Sequence, residues 1–326
     1  MPAKSQPSPT TRRNLLRVSF GTLALILTGC GGQVSVVKNT PPAEKPVTKD
    51  ATREELLEKF NSTAASINSL NATVELKPTA GSKYSGIIEE YHEVKAFLLA
   101  ERPANIRVIG QAPVIGTTVF DMASDSQEFR VSIPSKNKFI VGPVALERAS
   151  GKPIENLRPQ HLLDALLWPE LRKQETVLFE EFNDETARYY VLTVLHGGYQ
   201  TEILHKIWFD RTNLEVARLQ SFGPRGFLLS DIHFSNWQSV DAAKPAPGAP
   251  ATSSSSTQQF PRSIRIERPH DDYRLDLQIA KITLNDDIPL DRFNLERLAG
   301  SDLIRVGESS EEKQPNPSAK PQGAKQ

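Results

Sequence analysis

Short runs of β-branched and aromatic residues, separated by turn formers, fill most of the chain between residues 70 and 284. Such runs predict strands, and because few helical patterns lie between them they favour antiparallel meanders over βαβ units. The pattern predicts about a dozen strands, of which about 11–12 form the expected barrel; this exceeds the ~5–6 of an average sheet, and a sheet of that size tends to curl. We therefore expect a mainly β (α+β) fold built as an incomplete antiparallel β-barrel. The predicted strands cover residues 71–76, 86–99, 106–110, 117–122, 128–133, 138–141, 175–182, 188–195, 202–210, 215–221, 227–237, 262–267 and 273–284.

Two segments depart from the strand pattern and have helical spacing instead. Thr52 and Glu55 fit a capping box, in which each side chain satisfies a backbone N–H of the first helical turn. The apolar residues that follow recur at helical spacing: Leu56, Leu57, Phe60, Ala64 and Ile67. Residues 158–167 carry leucines on one face and end before Pro169, which cannot continue a helix. Each helix has one apolar face to bury, so we expect the helices to cover or plug the concave face of the sheet.

The only cysteine of the chain, Cys30, directly follows a short apolar run. Before that run lie four basic residues and no acidic ones, and small residues lead into the cysteine. This is the layout of a secretory signal, and the run is shorter than the ~20 residues of a membrane-spanning helix. The sequence Leu27-Thr28-Gly29-Cys30 resembles a bacterial lipobox, which implies cleavage before Cys30 and acylation of its thiol. The alternative is an ordinary secretory signal with a chance cysteine at its end.

The export route and the final membrane are less constrained by the sequence. Arg12 and Arg13 resemble a twin-arginine signal, but a plain basic segment before the apolar run would look the same. Gly31 follows the cysteine, where an aspartate would resemble an inner-membrane retention signal. We therefore expect a lipid-anchored protein on the periplasmic face of the outer membrane.

Composition divides the chain into five parts. Residues 1–29 form the predicted signal peptide, and residues 30–49, with three prolines among polar residues, form a predicted lipidated flexible tether. Residues 50–306 form the predicted domain, interrupted by a Pro/Ala/Ser-rich insertion at 242–259. Residues 307–326 are polar and charged and are predicted to be a disordered tail.

Motifs that carry chemistry are not found in the sequence. None of the six histidines lies in an HExxH pattern, and no GxSxG, P-loop or GxGxxG motif occurs. One cysteine is too few for a disulfide or a cysteine-based zinc site. Removal of residues 1–29 leaves 35 basic residues against 39 acidic ones, without the basic excess typical of nucleic-acid binding. We expect no enzyme activity, metal, cofactor or nucleic-acid partner.

Two loops place apolar residues among turn formers. Residues 112–116 read Ala-Pro-Val-Ile-Gly, and residues 224–229 read Pro-Arg-Gly-Phe-Leu-Leu. Each could be tucked against the core or could offer an apolar tip to lipid or to a partner. The pattern alone does not decide between these interpretations.

The order of these features resembles the LolA/LolB-like lipoprotein-carrier family, with the closest likeness to LolB-like lipoproteins. The resemblance lies in a strand, a Pro–apolar–Gly turn and a second strand at residues 105–117, in residues 136–140, in the leucine-rich segment 157–168 and in residues 288–293. It implies an incomplete barrel with a helical lid over an apolar cavity that receives lipoprotein acyl chains. The cavity lining implied here is Ile88, Phe97, Leu163, Leu166, Leu167 and Trp168.

The family resemblance also implies a role for the turn at Pro113, Val114, Ile115 and Gly116. In LolB-like proteins a protruding leucine of this turn helps to insert cargo into the outer membrane. Here the turn is one residue longer, and Ile115, directly before the glycine, is the nearer match.

Two functions from different classes follow from the sequence. The first is an outer-membrane lipoprotein that binds acyl chains of lipoproteins or other lipids, with a periplasmic carrier protein as a possible donor. The alternative is a structural or regulatory envelope lipoprotein with a filled barrel that binds a protein partner.

Overall fold

The computed structural model describes residues 47–82, 86–145, 156–183, 187–197, 201–241 and 257–306. Cys30, the predicted signal peptide, residues 30–46 of the tether, residues 242–256 of the insertion and the tail lie outside the described residues. The described part contains two α-helices, α1 (Arg53–Ser66) and α2 (Pro159–Leu166). It contains fifteen strands: β1 (Ser69–Ser82), β2 (Ile87–Glu90), β3 (Val94–Glu101), β4 (Asn105–Gln111), β5 (Thr118–Ser124), β6 (Glu128–Ile133), β7 (Lys138–Pro143), β8 (Thr176–Asn183), β9 (Arg188–His196), β10 (Glu202–Asp210), β11 (Val216–Phe222), β12 (Leu228–Asp241), β13 (Thr257–Arg268), β14 (Tyr273–Leu284) and β15 (Asp302–Arg305).

All fifteen strands belong to one sheet, in the order β15-β7-β6-β5-β4-β3-β1-β14-β13-β12-β11-β10-β9-β8, with β2 paired to β1. Every pair is antiparallel except β15 with β7, which is parallel. The sheet is not closed, because β15 and β8 stand at its two ends. The mainly β fold predicted from the sequence is confirmed, and the sheet is larger than the predicted 11–12 strands.

The extra strands have local explanations. The predicted strand at residues 86–99 is two strands, β2 and β3, because residues 91–93 leave the ladder between them. β15 was not predicted, since it is only four residues long. Residues 257–259, assigned from composition to the insertion, are instead the start of β13, where Thr257 pairs with Asp241.

Helix α1 begins as the sequence predicts. The Thr52 hydroxyl accepts a hydrogen bond from the Glu55 backbone N–H, and the Glu55 carboxylate accepts one from the Thr52 backbone N–H. This reciprocal pairing satisfies backbone donors that have no partner within the helix. The buried residues of α1 are Leu56, Phe60 and Ala64.

Both helices pack on the same face of the sheet, called here the covered face. Along β3, Val94, Ala96 and Leu98 are buried and alternate with the exposed Lys95 and Phe97, so one face of the strand is covered. The leucines of α2 and the apolar face of α1 join the buried residues of β1, β3, β4 and β9–β14 in one hydrophobic cluster. The helices and most of the sheet therefore share one main core, and Ala123, Phe139 and Leu295 form a separate small cluster.

Aromatic rings hold the centre of this core. Trp168, just after α2, stacks on Phe60 of α1 with the ring centroids 5.3 Å apart and the planes within 13°. It also meets Phe234 of β12 at 5.1 Å and Trp237 at 6.1 Å. Its indole N–H donates to the Ala165 carbonyl at 3.1 Å, so its polar atom is satisfied within the core. Trp168 thus joins both helices to the sheet.

Replacement of Phe60 by alanine should lower the free energy of unfolding by about 3–5 kcal/mol, because it leaves a cavity under Trp168. Urea denaturation followed by circular dichroism measures the change. Phe97→Ala is the matched control, since that ring lies on the exposed side of β3 and its loss should cost less than about 1 kcal/mol. Equal losses in the two variants would contradict the assignment of the core.

Candidate functional site

The connection between β4 and β5 forms a tight turn with an apolar tip. The Ala112 N–H donates to the Thr117 carbonyl at 2.9 Å, and the Gly116 N–H donates to the Ala112 carbonyl at 3.0 Å. Gly116 has φ +65°, a conformation that glycine adopts without strain. Val114 is 95% exposed and Ile115 is 74% exposed. Of the two interpretations of this loop, the structure supports the exposed apolar tip, called here the hairpin tip (residues 113–116).

The base of this hairpin is held against the core. Gly110 of β4 lies directly opposite Phe120 of β5, and a Cβ on Gly110 would lie 2.4 Å from the Phe120 ring. Phe120 in turn packs against the shared core. The missing side chain at Gly110 therefore lets Phe120 cover the strand, while the tip beyond it projects from the sheet.

The second apolar loop, at residues 224–229, has a different character. Phe227, Leu228 and Leu229 are all partly buried, unlike the residues of the hairpin tip. The Phe227 ring meets the His270 ring edge-on at 5.0 Å, and together with Arg225 these residues line an open recess of about 510 Å³. The recess is mostly open to solvent and has one aromatic wall, so it is not an acyl-chain cavity.

The predicted cavity-lining residues divide into two groups. Leu163, Leu166, Leu167 and Trp168 are buried in the shared core. Phe97 is 39% exposed and Ile88 is 57% exposed, so the prediction for these two is corrected. Phe97 points away from the covered face because its strand neighbours Ala96 and Leu98 fill that face, and the Lys95 ammonium lies 5.4 Å from its ring centroid.

The space between the helices and the sheet is small where α1, the end of α2 and β13 meet. A crevice there has a volume of about 10 Å³ and is lined by Ala64, Leu166, Trp168 and Phe260, among others. Ligand pockets usually measure ~300–1,000 Å³, whereas this volume suits about one water molecule. At this point the side chains of the helices pack closely against the sheet.

Arg102, in the turn after β3, joins the ends of both helical segments. Its Nε donates to the Ile67 carbonyl at 2.9 Å, and its Nη2 donates to the carbonyls of Ala64 at 2.8 Å and Trp168 at 2.7 Å. Helix ends leave carbonyls without partners, and a positive charge there is favourable. Burial lowers the pKa of Arg102, and nearby Glu170 acts in the opposite direction.

Arg102 was missed by the sequence analysis. Its partners lie 35 to 66 residues away in the chain, and nothing near Arg102 in sequence indicates them. Only the fold brings the end of α1 and the end of the α2 segment to the same turn.

The beginning of α2 is held by a polar cluster at the other end of the strands. The His161 Nδ1 is hydrogen-bonded to the hydroxyl of Tyr273, the first residue of β14. The Arg158 guanidinium lies 4.7 Å from the Phe129 ring centroid. Burial lowers the pKa of His161 well below its usual value, and the charges of Arg268 and Arg158 add to this effect. Burial likewise raises the pKa of Tyr273.

The two anchors lie at opposite ends of strand β1. Tyr273 pairs with Ala80 near the end of β1, whereas Glu101, the neighbour of Arg102, pairs with Ser69 at its start. The α2 segment therefore runs along the covered face and is fixed at both ends, by His161 at the first and by Trp168 at the second.

Other kinds of site are not evident within the described ranges. No three His, Cys, Asp or Glu side chains in that part of the chain are grouped to hold a metal ion. Neither described helix has the length and apolar character needed to cross a membrane.

Comparisons with known proteins give similarity at the level of the fold only. No known family model matches the chain, and no curated protein matches it. The similar solved structures include a DUF1329 family protein from Desulfovibrio piger, with a TM-score of 0.47 and 10% identity over 73% of this chain and 94% of that one. They include a LolA superfamily protein from Nitrosomonas europaea, with a TM-score of 0.42 and 16% identity over 76% of this chain and 100% of the other.

A third similar structure comes from Vibrio parahaemolyticus and is a domain provisionally assigned as an outer membrane lipoprotein-sorting protein. It has a TM-score of 0.42 and 10% identity, over 73% of this chain and 95% of that chain. At these values the similarity assigns no residue of this chain a role.

The His161–Tyr273 contact predicts a pH dependence of stability. Because the folded protein resists protonation of His161, the unfolded chain takes up the proton first, near the ordinary pKa of ~6.5. Protonation of His161 should therefore lower stability as the pH decreases from 7 to 5, whereas the buried Asp164, whose pKa is raised to about 6, acts in the opposite direction. His161→Gln should make stability at pH 5 higher relative to that at pH 7 than in the wild type. Urea denaturation at pH 7, 6 and 5 measures it. His196→Gln, at an exposed position at the end of β9, is the control and should keep the wild-type change of unfolding free energy with pH. The same change with pH in His161→Gln as in the wild type would contradict the role assigned to His161.

Proposed function

We propose that this protein is a non-enzymatic lipoprotein of the cell envelope that binds acyl chains and passes them to the outer membrane in a LolB-like manner. The observation that carries the proposal is the exposure of Val114 and Ile115 at the end of a hairpin whose base is fixed in the core. The sequence before residue 47 adds the lipobox-like stretch that ends at Cys30. A lipid anchor at Cys30 would keep the domain beside the membrane that it serves.

The hairpin tip is suited to lipid rather than to water. Burial of a Val or Ile side chain is worth ~1.5–3 kcal/mol, and in the isolated protein the two side chains at the tip remain in water. The tip is short and its ends are held by backbone hydrogen bonds, so little conformational entropy is lost on insertion. Insertion of the tip into a bilayer would place the domain directly at the acceptor membrane.

Acyl-chain binding requires the covered face to open. The α2 segment fills that face, and Arg102 holds its end to the end of α1. Separation of α2 from the sheet would expose an apolar surface to which acyl chains could bind. Arg102 then acts as a latch that favours the closed state, and a periplasmic carrier protein is the expected donor of the cargo.

A second candidate function follows from the packing of the interior. The stacking of Trp168 on Phe60 and the crevice of about 10 Å³ beside them are also what a permanently filled barrel would show. In that case the protein is a structural or regulatory envelope lipoprotein that binds a protein partner through its surface. The two candidates differ in whether the covered face ever opens.

Substitution of Ile115 by glutamate should weaken membrane association of the hairpin tip about tenfold or more, because it replaces ~1.5–3 kcal/mol of apolar burial by a charge. Flotation of the Cys30→Ala protein with phospholipid vesicles measures the effect without the anchor. Leu290→Glu is the matched control, since Leu290 is 73% exposed in a turn outside the hairpin.

Both variants should keep the free energy of unfolding within about 0.5 kcal/mol of the parent, as expected for exposed sites. If Ile115→Glu, Leu290→Glu and the parent protein float equally with vesicles, the proposed membrane role of the hairpin tip is contradicted. Loss of cooperative unfolding in Ile115→Glu would assign Ile115 to the core instead.

Removal of the latch should increase acyl-chain retention. Arg102→Leu loses three hydrogen bonds to helix-end carbonyls, which raises the population of the open, binding-competent state and tightens apparent affinity about tenfold or more. Native mass spectrometry with lipid extraction, on protein purified from its own envelope, measures the bound acyl species. Arg265→Leu, at an exposed position on β13, is the control.

A larger amount of bound acyl species in Arg102→Leu than in Arg265→Leu would support the carrier function. Apo masses for the parent, the latch variant and the control together would favour the filled barrel.

A further inference from the structure

Strand β8 is an open edge of the sheet. It is the last strand in the order and pairs only with β9 among the residues that the structure describes. Its pairing with β9 runs over all eight residues without a register shift, so no bulge turns the edge away. Natural edge strands are usually protected by shortness, bulges, proline or charged side chains, and of these β8 has only its two glutamates, Glu180 and Glu181.

The side chains of β8 are exposed to an unusual degree for a strand rich in large apolar residues. Leu178 is 54% exposed, Phe179 41% and Phe182 43%, and of the eight residues only Val177 is better covered. Long apolar edges of this kind are templates for pairing with another strand. β15, at the opposite end of the sheet, is only four residues long and offers much less of an edge.

The two faces of β8 differ in character. Phe179 and Glu181 lie opposite the buried Leu192 and Tyr190 of β9 and so share the covered face. On the covered face, Glu181 is already bound by Arg211, which also contacts Asp50 at 3.1 Å and stacks on Tyr190. The negative charge of Glu181 on the covered face is therefore neutralised by Arg211 within the protein.

The outer face of β8 presents a repeating pattern. Leu178, Glu180 and Phe182 alternate with the residues of the covered face and so point together to the other side. The Phe182 ring meets the Trp208 ring of β10 edge-on at 5.4 Å, which extends the apolar surface across the neighbouring strands. Glu180 thus lies between two apolar side chains at the open edge.

We propose that the edge of β8 binds an extended, basic peptide segment of another protein, which adds to the sheet as a sixteenth strand. Backbone hydrogen bonds to the free edge would supply affinity, and the outer face would supply specificity. A segment with a Lys or Arg opposite Glu180 and apolar residues two positions to either side matches the pattern of Leu178 and Phe182. The inference is independent of lipid binding, since β8 is separate from the hairpin tip.

Charge argues against a second copy of this chain at the same edge. Opposite residues of an antiparallel pair share a face, so two β8 strands in a register centred on Glu180 would place the two Glu180 carboxylates directly opposite each other. Glu181 is already paired with Arg211 in each copy, so the repulsion comes from Glu180. A basic strand meets Glu180 with opposite charge.

The test uses a fluorescein-labelled synthetic peptide of seven residues with valines at its second and sixth positions, lysine at its fourth, and Ser or Thr elsewhere. Fluorescence anisotropy measures its binding to the full mature protein. We expect the lysine peptide to bind about fivefold more tightly than the same peptide with glutamate. In Glu180→Lys this preference should reverse. Glu75→Lys, at an exposed position of the central strand β1, is the matched control and should keep the parent preference.

Amide hydrogen exchange identifies the site of binding. Addition of the lysine peptide should slow exchange in residues 176–183, and the same peptide with alternate backbone nitrogens methylated should not bind. Equal affinity for the lysine and glutamate peptides, no binding at millimolar peptide, or protection at β15 instead of β8 would each overturn the proposal. A peptide-free dimer with protected β8 amides, detected by sedimentation equilibrium, would assign the edge to a second copy and overturn it as well.

Discussion

The packing of Trp168 between α1, α2 and the sheet is the contact on which the rest of this structure depends. A sheet of fifteen strands with one apolar face cannot leave that face in water, since burial is worth ~25 cal/mol per Å². The part of the chain that the structure describes offers two α-helices to cover it, and α2 is eight residues long. Trp168, just after the end of α2, packs on Phe60 of α1 and Phe234 of β12. The α2 segment therefore covers more of the sheet than the eight-residue helix would cover alone. Arg102 and His161 then fix the segment at its two ends.

With the covered face closed, the surface features that remain lie at places the helices do not reach. The hairpin tip projects beyond the ends of β4 and β5, and β8 lies at the edge of the sheet. Each exposes apolar side chains, but the tip carries no charge whereas β8 carries two glutamates. An uncharged apolar tip is compatible with the proposed insertion into the hydrocarbon interior of a bilayer, which offers no partner for a charge. The edge suits a peptide, which can supply both backbone hydrogen bonds and a counter-charge.

Local signals in the sequence were sufficient for the two helices and for most of the strands, but not for the contacts between them. The capping box at Thr52 and the leucine spacing before Pro169 identify the two helices within a residue of their bounds, because both depend on neighbouring residues. The face of Phe97 was predicted wrongly, since the strand at 86–99 is apolar on both sides and its register changes where β2 ends. The bonds of Arg102 could not be predicted, because its three carbonyl partners are set by how two distant helices end. Whether the hairpin tip is exposed was equally open, since a tucked loop has the same composition.

The closed interior is compatible with acyl-chain transport on energetic grounds. Removal of α2 from the sheet exposes about four large apolar side chains, Leu162, Leu163, Leu166 and Trp168, at ~1.5–3 kcal/mol each, so opening costs about 6–12 kcal/mol. One sixteen-carbon acyl chain, with its 14 CH2 groups, gains about 11 kcal/mol when it moves from water to an apolar surface, at ~0.8 kcal/mol for each CH2. An empty protein would therefore stay closed, with its apolar face protected from water, whereas a bound acyl chain would offset the cost of opening. Under the proposed function, the same balance would return the protein to the closed state once the chain has entered a bilayer, and release would need no chemical energy source.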